Sequence, residues 1–510
     1  MSSRIVDTPD PVKVGHTGLV ILDGIGLGVA DVVRLADGSA RPVPGTEATK
    51  RVTESWDAAR QIAATGRVYG RSTGVGANRN EDVPTEAAAE HGLRLLRSHA
   101  GAIGEELPAR QVRAMLAVRA NQLLAGGAGL RPTVVTALCE ALESGAYPVV
   151  NEFGSVGTGD IAALAQAGLA LAGEHPWRGA GGAAGGAPEP QLLDNNDALA
   201  FISSNALTLG QAALALHELR GLIEATQVVG ALSLLAVDGS HEAYAAPVHA
   251  ARPHRGSVEV ARRMRQLIGA EDRPTPPLGR IQDPYGFRCL PQIHGPAQDA
   301  ADTLEEVLAI EINAAAENPL ISPQDMAAYH HGGFYQAQLA LALDHFRLAL
   351  TQVARLSTSR LSTLNEPAFT RLRPFLADQE PASSGVMILE YAAGAALGDL
   401  RAFSAPASLG HAVLSRGVEE QASFASLAAR QTLRACGAYR LVVGCELVAA
   451  VRALRQRDLR PDPDLPVGRA LELAEAVLEE DPADRPLTGD VTAAAALLDR
   501  FTDIWRGSEA

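Results

Sequence analysis

Three polar loops break an otherwise apolar chain with side chains able to do chemistry. In the first, Val68-Tyr69-Gly70-Arg71-Ser72-Thr73-Gly74-Val75-Gly76, a tyrosine sits among glycines. A phenol works as a general base only when its pKa falls well below its reference value of about 10. Nearby positive charge would lower it, and Arg71 is the candidate. A tyrosine that simply packs the loop onto the core fits the same spacing.

The second loop, Gly154-Ser155-Val156-Gly157-Thr158-Gly159-Asp160, opens the helical stretch IAALAQAGLALAG. Free backbone N–H groups and the dipole at such a start favour negative charge. A phosphate loop would place lysine after the glycine, where this chain has Asp160, so phosphate cradling is disfavoured. An ordinary helix cap, with Asp160 in the first turn, fits equally. The third loop is Gln282-Asp283-Pro284-Tyr285-Gly286-Phe287-Arg288-Cys289-Leu290-Pro291-Gln292-Ile293-His294-Gly295. Arginine is the natural bidentate clamp for a substrate carboxylate, and Tyr285 can donate or accept beside it.

The elements that must hold these loops are helical. RQVRAMLAVRANQLLAG, VVTALCEALESG, DIAALAQAGLALAGE, ALTLGQAALALHELRGLIEATQVVGALSLLAV and RLALTQVARLSTSRLSTL carry apolar residues at i, i+3, i+4 and i+7. Several are long and apolar nearly all round, which places them inside a bundle. The uncharged stretch Leu199–Leu216 contains Ser203, Ser204, Asn205, Thr208 and Gln211, so a buried helix is expected there and not a membrane span. Residues 17–45 read as short strands and a helix, with a hairpin turn at GIGLG (24–28). RGAGGAAGGAPEP (178–190) reads as a flexible hairpin or linker, and RPTPPLGRIQDPYG (273–286) as a long loop of the kind that carries function. The expected order is a disordered tail over 1–16, an N-terminal domain over 17–200, a long-helix bundle over 201–460 and a helical tail over 461–510.

Composition bounds the rest. The chain has 510 residues, a net charge of -15, 47% hydrophobic and 20% charged residues. That is ample for a large core and rules out disorder over most of the chain. The acidic balance argues against nucleic acid and anionic membrane surfaces as partners. Lys13 and Lys50 are the only lysines. The cysteines, Cys139, Cys289, Cys436 and Cys445, form no CxxC pair and meet no histidine at zinc-finger spacing, so neither a metal site nor a disulfide framework is indicated. The first residues, MSSRIVDTPDPVKVG, lack an apolar signal core, and a reducing cytoplasm is the expected compartment.

Taken in series, eight motifs resemble the aromatic amino acid ammonia-lyase and aminomutase family, which includes histidine, phenylalanine and tyrosine ammonia-lyases. They are VYGRSTGVG, LRLLRSHAGAIGEELP, RAMLAVRANQLLAGGAGLRP, GSVGTGDIAALAQ, RPHRGSVEVARRMRQL, RIQDPYGFRCLPQIHG, EINAAAENPL and GVEEQAS, spread over roughly residues 17 to 430. The resemblance implies a mostly α fold: a long-helix bundle of the ammonia-lyase, fumarase/aspartase-like type, with a small N-terminal α/β portion. It also implies a homotetramer whose active sites are each assembled from three subunits. Tyr69 matches the loop tyrosine that removes the substrate's β-proton. Arg288 matches the arginine binding the substrate carboxylate, with Tyr285 and Gln282 as site-lining neighbours. His99 matches a position that influences which ring is accepted, and Phe334 a wall of the pocket. Glu419 matches an acidic residue near the amino group, with Glu420 an alternative one residue away. Asn318 matches the asparagine of the family's Asp-Asn-Pro-Leu loop.

The sequence departs from the family at its prosthetic group. Members cyclise an Ala-Ser-Gly triad into an electrophilic 4-methylideneimidazol-5-one, the serine losing water. Here the string is one residue shorter, and no serine stands in the triad. Either the serine is deleted, or Gly157-Thr158-Gly159 is a degenerate triad from which Thr158 could dehydrate to an ethylidene analogue. The family's Asn-Gly-Thr, whose asparagine holds the ring, is replaced at Ser203-Ser204-Asn205, leaving Ser203 or Asn205 as stand-ins. Where the family has Gly-Asn-Phe-His-Gly, this chain has Gly332-Gly333-Phe334-Tyr335-Gln336, preceded by His330-His331.

Three readings follow. In the first, the enzyme keeps Tyr69 as base and Arg288 as anion clamp, with Tyr285 and Glu419 in the catalytic set, but holds no cofactor. It then performs proton transfer, elimination, conjugate addition or cyclisation on an activated, amino-acid-like carboxylate, in a setting such as specialised biosynthesis. In the second, it is an authentic ammonia-lyase or aminomutase with a ring made autocatalytically from Thr158. In the third, it is a non-catalytic family member.

Overall fold

The computed structural model describes residues 18–179, 186–275 and 279–506. The expected tail over 1–16 lies outside them, as do the middle of the 178–190 segment and residues 276–278 of the proline-rich loop. The chain divides into two compact units. One takes residues 1–217, 305–343 and 406–430, the other 218–304, 344–405 and 431–510. Contacts therefore do not follow the contiguous division into 17–200, 201–460 and 461–510, because residues 305–343 and 406–430 pack with the N-terminal portion.

In the first unit, strands Gly18–Leu22 and Ala40–Pro44 pair in parallel, with helix Val29–Ala36 crossing between them. The hairpin turn expected at GIGLG is thus a strand-to-helix connection. Parallel strands require such a crossover. The loop's amides are used internally: Ile25 N and Gly26 N donate to Asp23 Oδ1 (2.8 and 2.7 Å), and Gly24 N donates to Asn121 Oδ1. Helix Val29–Ala36 lies on helix Ala109–Leu124, which is buried throughout from Val112 onward. Two arginines are consequently buried there and need partners. Arg119 meets Glu317 (2.8 Å) and the carbonyls of Ala200 and Phe201. That one guanidinium ties the end of helix Ala198–Ile202 to the residue before Asn318.

A second device is the hairpin of strands Leu320–Ser322 and Ala327–Tyr329, with Leu320 opposite Tyr329. A two-stranded hairpin is marginal alone. Here Ile321 packs on Ala58 and Ala59 of helix Thr46–Thr65. Its closure brings Asn318, at the entrance, beside His331, at the exit.

The second unit takes residues 218–236, 290–304, 344–364 and 431–456 of the long helices Ala206–Ala236, Leu290–Glu311, Ala337–Leu364 and Ala425–Gln456. The span Ala198–Ala236 is long and apolar enough to cross a membrane, but 94% of its apolar window is buried, as expected of a core helix. At this unit's centre Arg360 and Glu446 pair with both side chains fully buried (Nε–Oε1 2.6 Å, Nη2–Oε2 2.8 Å), and Ser233 and Ser357 donate to the same carboxylate. Every lone pair of such a buried ion must be satisfied for it to be tolerated. Arg360 Nη1 also donates to Gly286 O (3.3 Å), and Tyr244 Oη donates to Phe287 O (2.9 Å). The short helix Tyr285–Arg288 is held in place by these two bonds.

Candidate active site

The loop 154–160 is closed by its own hydroxyl. Ser155 Oγ donates to Gly159 O (3.0 Å) and accepts from Gly157 N (3.1 Å). Gly157 and Gly159 have φ of 91° and 109°, where only glycine is comfortable. Residues 423–426 press on the loop: Ser423 Oγ donates to Gly157 O (2.9 Å), Phe424 N to Val156 O (2.8 Å), and Ser426 Oγ to Ser155 O (2.8 Å). A Cβ at Gly157 would lie 2.1 Å from Ser423 Oγ and 2.8 Å from Phe424 N. If residues 157–159 are the triad, an alanine has no room at its first position. Thr158 Oγ1 instead donates to Glu419 Oε2 at 3.4 Å. Asp160 stands at the N-cap of helix Ile161–Leu171, yet its buried carboxyl accepts from Thr208 N (2.7 Å) and Oγ1 (2.9 Å) and not from its own first turn. Burial pushes that carboxyl up despite these bonds.

Tyr69 is half-buried, and its Oη accepts from Gly76 N (2.8 Å). Arg71 is not its activator. Only 2% exposed, Arg71 donates to the carbonyls of Ala128 (2.6 Å) and Gly129 (3.1 Å) and so pins the loop. The cation that acts on the phenol is Arg79. Burial raises the phenol's pKa, the Gly76 bond lowers it, Glu419 raises it and Arg79 lowers it; the net direction is upward. This is the opposite of what a base requires. Ser415 Oγ accepts from Ala77 N (3.0 Å), so the tyrosine loop touches the turn that carries Glu419. Of the two carboxylates, Glu419 faces Thr158 and Tyr69, and Glu420 is exposed.

Ser203, Asn205, Asn318 and Phe334 come together on the hairpin side. Ser203 Oγ accepts from Asn318 N (3.0 Å), and Asn318 Oδ1 accepts from His331 N (3.0 Å). Asn205 Nδ2 donates to Phe334 O (2.8 Å), while its Oδ1 is buried with no partner. His99 closes helix Ala88–His99. Its Nδ1 lies 2.9 Å from Leu95 O and 2.9 Å from Ser98 Oγ, so its described bonds are local. The turn after it packs Ala102 against Gly154.

Gln282, Tyr285 and Arg288 form their own cluster in the second unit. Arg288 Nη1 donates to Gln282 Oε1 (2.7 Å), and the guanidinium carbon lies 4.4 Å from the Tyr285 ring centroid, a cation–π geometry. Arg288 Nε is buried and unpartnered. A planar cation held on one face, with a donor unspent, is suited to an incoming carboxylate. All four cysteines are free, and among the described residues no group of His, Cys, Asp or Glu is arranged to hold a metal.

Four roles escape a reading of motifs. Ser423 and Arg119 stand inside motifs, but their contacts with Gly157 and Glu317 come from packing between distant segments; Arg79 acts by charge on Tyr69; and His330 stands edge-on to Tyr69, ring centroids 6.3 Å apart and planes at 89°.

The family description "aromatic amino acid lyase" matches residues 27–479, further toward the C-terminus than the motifs alone reach. The chain belongs to the aromatic amino acid lyase family. A histidine ammonia-lyase of Geobacillus kaustophilus (strain HTA426) is 34% identical over 450 residues, covering 86% of this chain and 89% of the relative. Among solved structures, the histidine ammonia-lyase of Trypanosoma cruzi is 27% identical with a TM-score of 0.87, covering 97% of this chain and 95% of that one. The ergothioneine-degrading ergothionase of Treponema denticola, solved with desmethyl-ergothioneine sulfonic acid, is 26% identical with a TM-score of 0.87, covering 95% and 99%. The mostly helical ammonia-lyase fold and a lyase-type enzyme follow from this membership, and the non-catalytic reading falls away.

Proposed function

We propose that this family member works without the imidazolone, using Tyr69 as general base and Arg288 as carboxylate clamp on an amino-acid-like carboxylate that is already activated. The observation carrying the proposal is the packing at Gly157. Ser423 occupies the space of a side chain there and binds the Gly157 carbonyl, while the neighbouring hydroxyl, Thr158, is turned to Glu419. The residues present do not fit the family's group: no serine is available to dehydrate, and Ser203, standing for the ring-holding asparagine, is committed to Asn318 N. No step is therefore routed through it.

Removing a β-proton from a plain α-amino acid is costly without an electrophile, but conjugation or a better leaving group than ammonia lowers that barrier. In the elimination, the phenolate takes the Cβ proton, the C–H pair becomes the Cα=Cβ bond, and the leaving group departs with its own electrons. The ergothioneine-degrading relative lends support, since ergothioneine is a betaine with a quaternary nitrogen. We further place the enzyme in a cytoplasmic homotetramer with shared sites, a reading supported by free cysteines and by exposed apolar groups beside site loops, Ile281 (92%) and Leu409 (80%). The test is a turnover panel of L-histidine, L-tyrosine and the α-trimethylammonium betaine of histidine. Consumption of the betaine, abolished by Tyr69→Phe, is expected. Ammonia release from the free amino acids would favour instead a ring derived from Thr158, the reading that identity to histidine ammonia-lyases supports.

A further inference from the structure

We propose that His330 is a positioning residue that charges the Tyr69 site: as an imidazolium standing edge-on to the phenol, it stabilises the Tyr69 phenolate. The inference rests on Tyr69 being the base. The two rings stand perpendicular, centroids 6.3 Å apart. Tyr69 is half-buried and His330 exposed, so a unit charge on the imidazole acts on the phenol across a short, partly screened distance.

The groups facing the phenol show why such a charge is needed. Glu419, from the turn bridged at Leu414 and Glu419, opposes the phenolate; Arg79, just past the Gly76–Asn78 turn, favours it; Arg71 is locked onto the Ala128 and Gly129 carbonyls. The neighbouring histidine cannot serve. His331 Nδ1 accepts from Gly333 N (2.8 Å), and its Nε2 must then donate to Glu317 O (2.8 Å), so this ring is neutral and fully used. Its bonds, with His331 N on Asn318 Oδ1, fix the backbone from which His330 projects, exposed, toward Tyr69. His330 follows directly on strand Ala327–Tyr329, whose register against Leu320–Ser322 sets its position.

An imidazole and a phenol that interact titrate as a pair. Between the two pKa values the pair holds one proton, and a fixed fraction of it is phenolate–imidazolium at any pH in that window. Phenolate beside a neutral imidazole grows with hydroxide on top of that fraction, so the rate should climb through neutral pH with less than unit slope. A pair without the imidazole would gain phenolate only in proportion to hydroxide.

The test needs no substrate in its first arm. Tyrosinate ultraviolet absorbance, taken as each protein minus its Tyr69→Phe counterpart, isolates the titration of Tyr69. In His330→Arg and His330→Lys, where the charge persists at alkaline pH, Tyr69 should titrate at lower pH than in His330→Gln. Equal titrations in folded variants with matching thermal midpoints would overturn the proposal. In the second arm, log kcat/KM for a substrate found in the panel above should rise with less than unit slope through neutral pH for the native enzyme. It should rise with unit slope for His330→Gln, about tenfold lower at pH 7. A flat profile in His330→Gln would also overturn it. Were Tyr69→Phe to keep full activity, the base assignment would fail while the titration still measured the coupling.

Discussion

Thr158 Oγ1 donates to Glu419 Oε2 at 3.4 Å, joining two residues separated by 261 positions in the chain. In relatives built on an Ala-Ser-Gly triad, this stretch of backbone is the precursor of the electrophile. Here its only hydroxyl is directed to a carboxylate that also faces Tyr69, the proposed base. The contact makes Thr158 a hydrogen-bond donor to the carboxylate beside that phenol.

That role predicts a modest phenotype for Thr158→Val. At 3.4 Å the bond is long for a hydroxyl on a carboxylate, and its loss should cost roughly 0.5–1.5 kcal/mol, or about twofold to tenfold in rate if it persists in the transition state. Steady-state kinetics of the variant check this. A complete loss of activity would point to a reaction that consumes the hydroxyl.

Arg288→Ala removes the proposed anion clamp. Truncating a charge-assisted partner of a substrate carboxylate should cost on the order of 2–5 kcal/mol in kcat/KM. Unchanged kcat/KM would show that the anion binds elsewhere.

The charges around Tyr69 predict opposite shifts for two neutral substitutions. Glu419 disfavours the phenolate and Arg79 favours it. Glu419→Gln should therefore move the Tyr69 absorbance titration to lower pH, and Arg79→Gln to higher pH. Shifts of the same sign would mean that packing, not charge, governs the phenol.

Gly157→Ala meets two obstacles, a φ of 91° and a Cβ 2.1 Å from Ser423 Oγ. Strained backbone of this kind costs about 1–3 kcal/mol. Thermal or denaturant unfolding should show a loss of this order, partly recovered in Gly157→Ala combined with Ser423→Gly. An unchanged midpoint would mean that the loop opens freely.

Helical periodicity made most of the fold legible, because Ala109–Leu124, Thr133–Ser144 and Ala206–Ala236 bury the apolar faces their spacing demands. The short strands and helix read over residues 17–45 are present, and only the turn at 24–28 differs from a hairpin, since glycines mark a turn without saying whether the next element returns parallel or antiparallel. The hairpin at 320–329 has strands of three residues each, too short for an alternation signal. In the site, the local reading singles out Arg288 beside Tyr285, and the motif match adds Gln282 and a role for Tyr69. The local reading of Arg71 as activator fails, because loop neighbours in sequence can point to opposite sides, and Arg71 points into the core. The contact of Ser423, the last residue of GVEEQAS, with Gly157 is not legible, as it spans 266 positions and depends on tertiary packing.

The intact mass of the purified protein, with peptide mapping across 154–160, tests the central claim most directly. An unmodified mass, with Thr158 recovered as threonine and no added near-ultraviolet band, is the predicted result. A mass lower by water that maps to Gly157-Thr158-Gly159, accompanied by such a band, would contradict it.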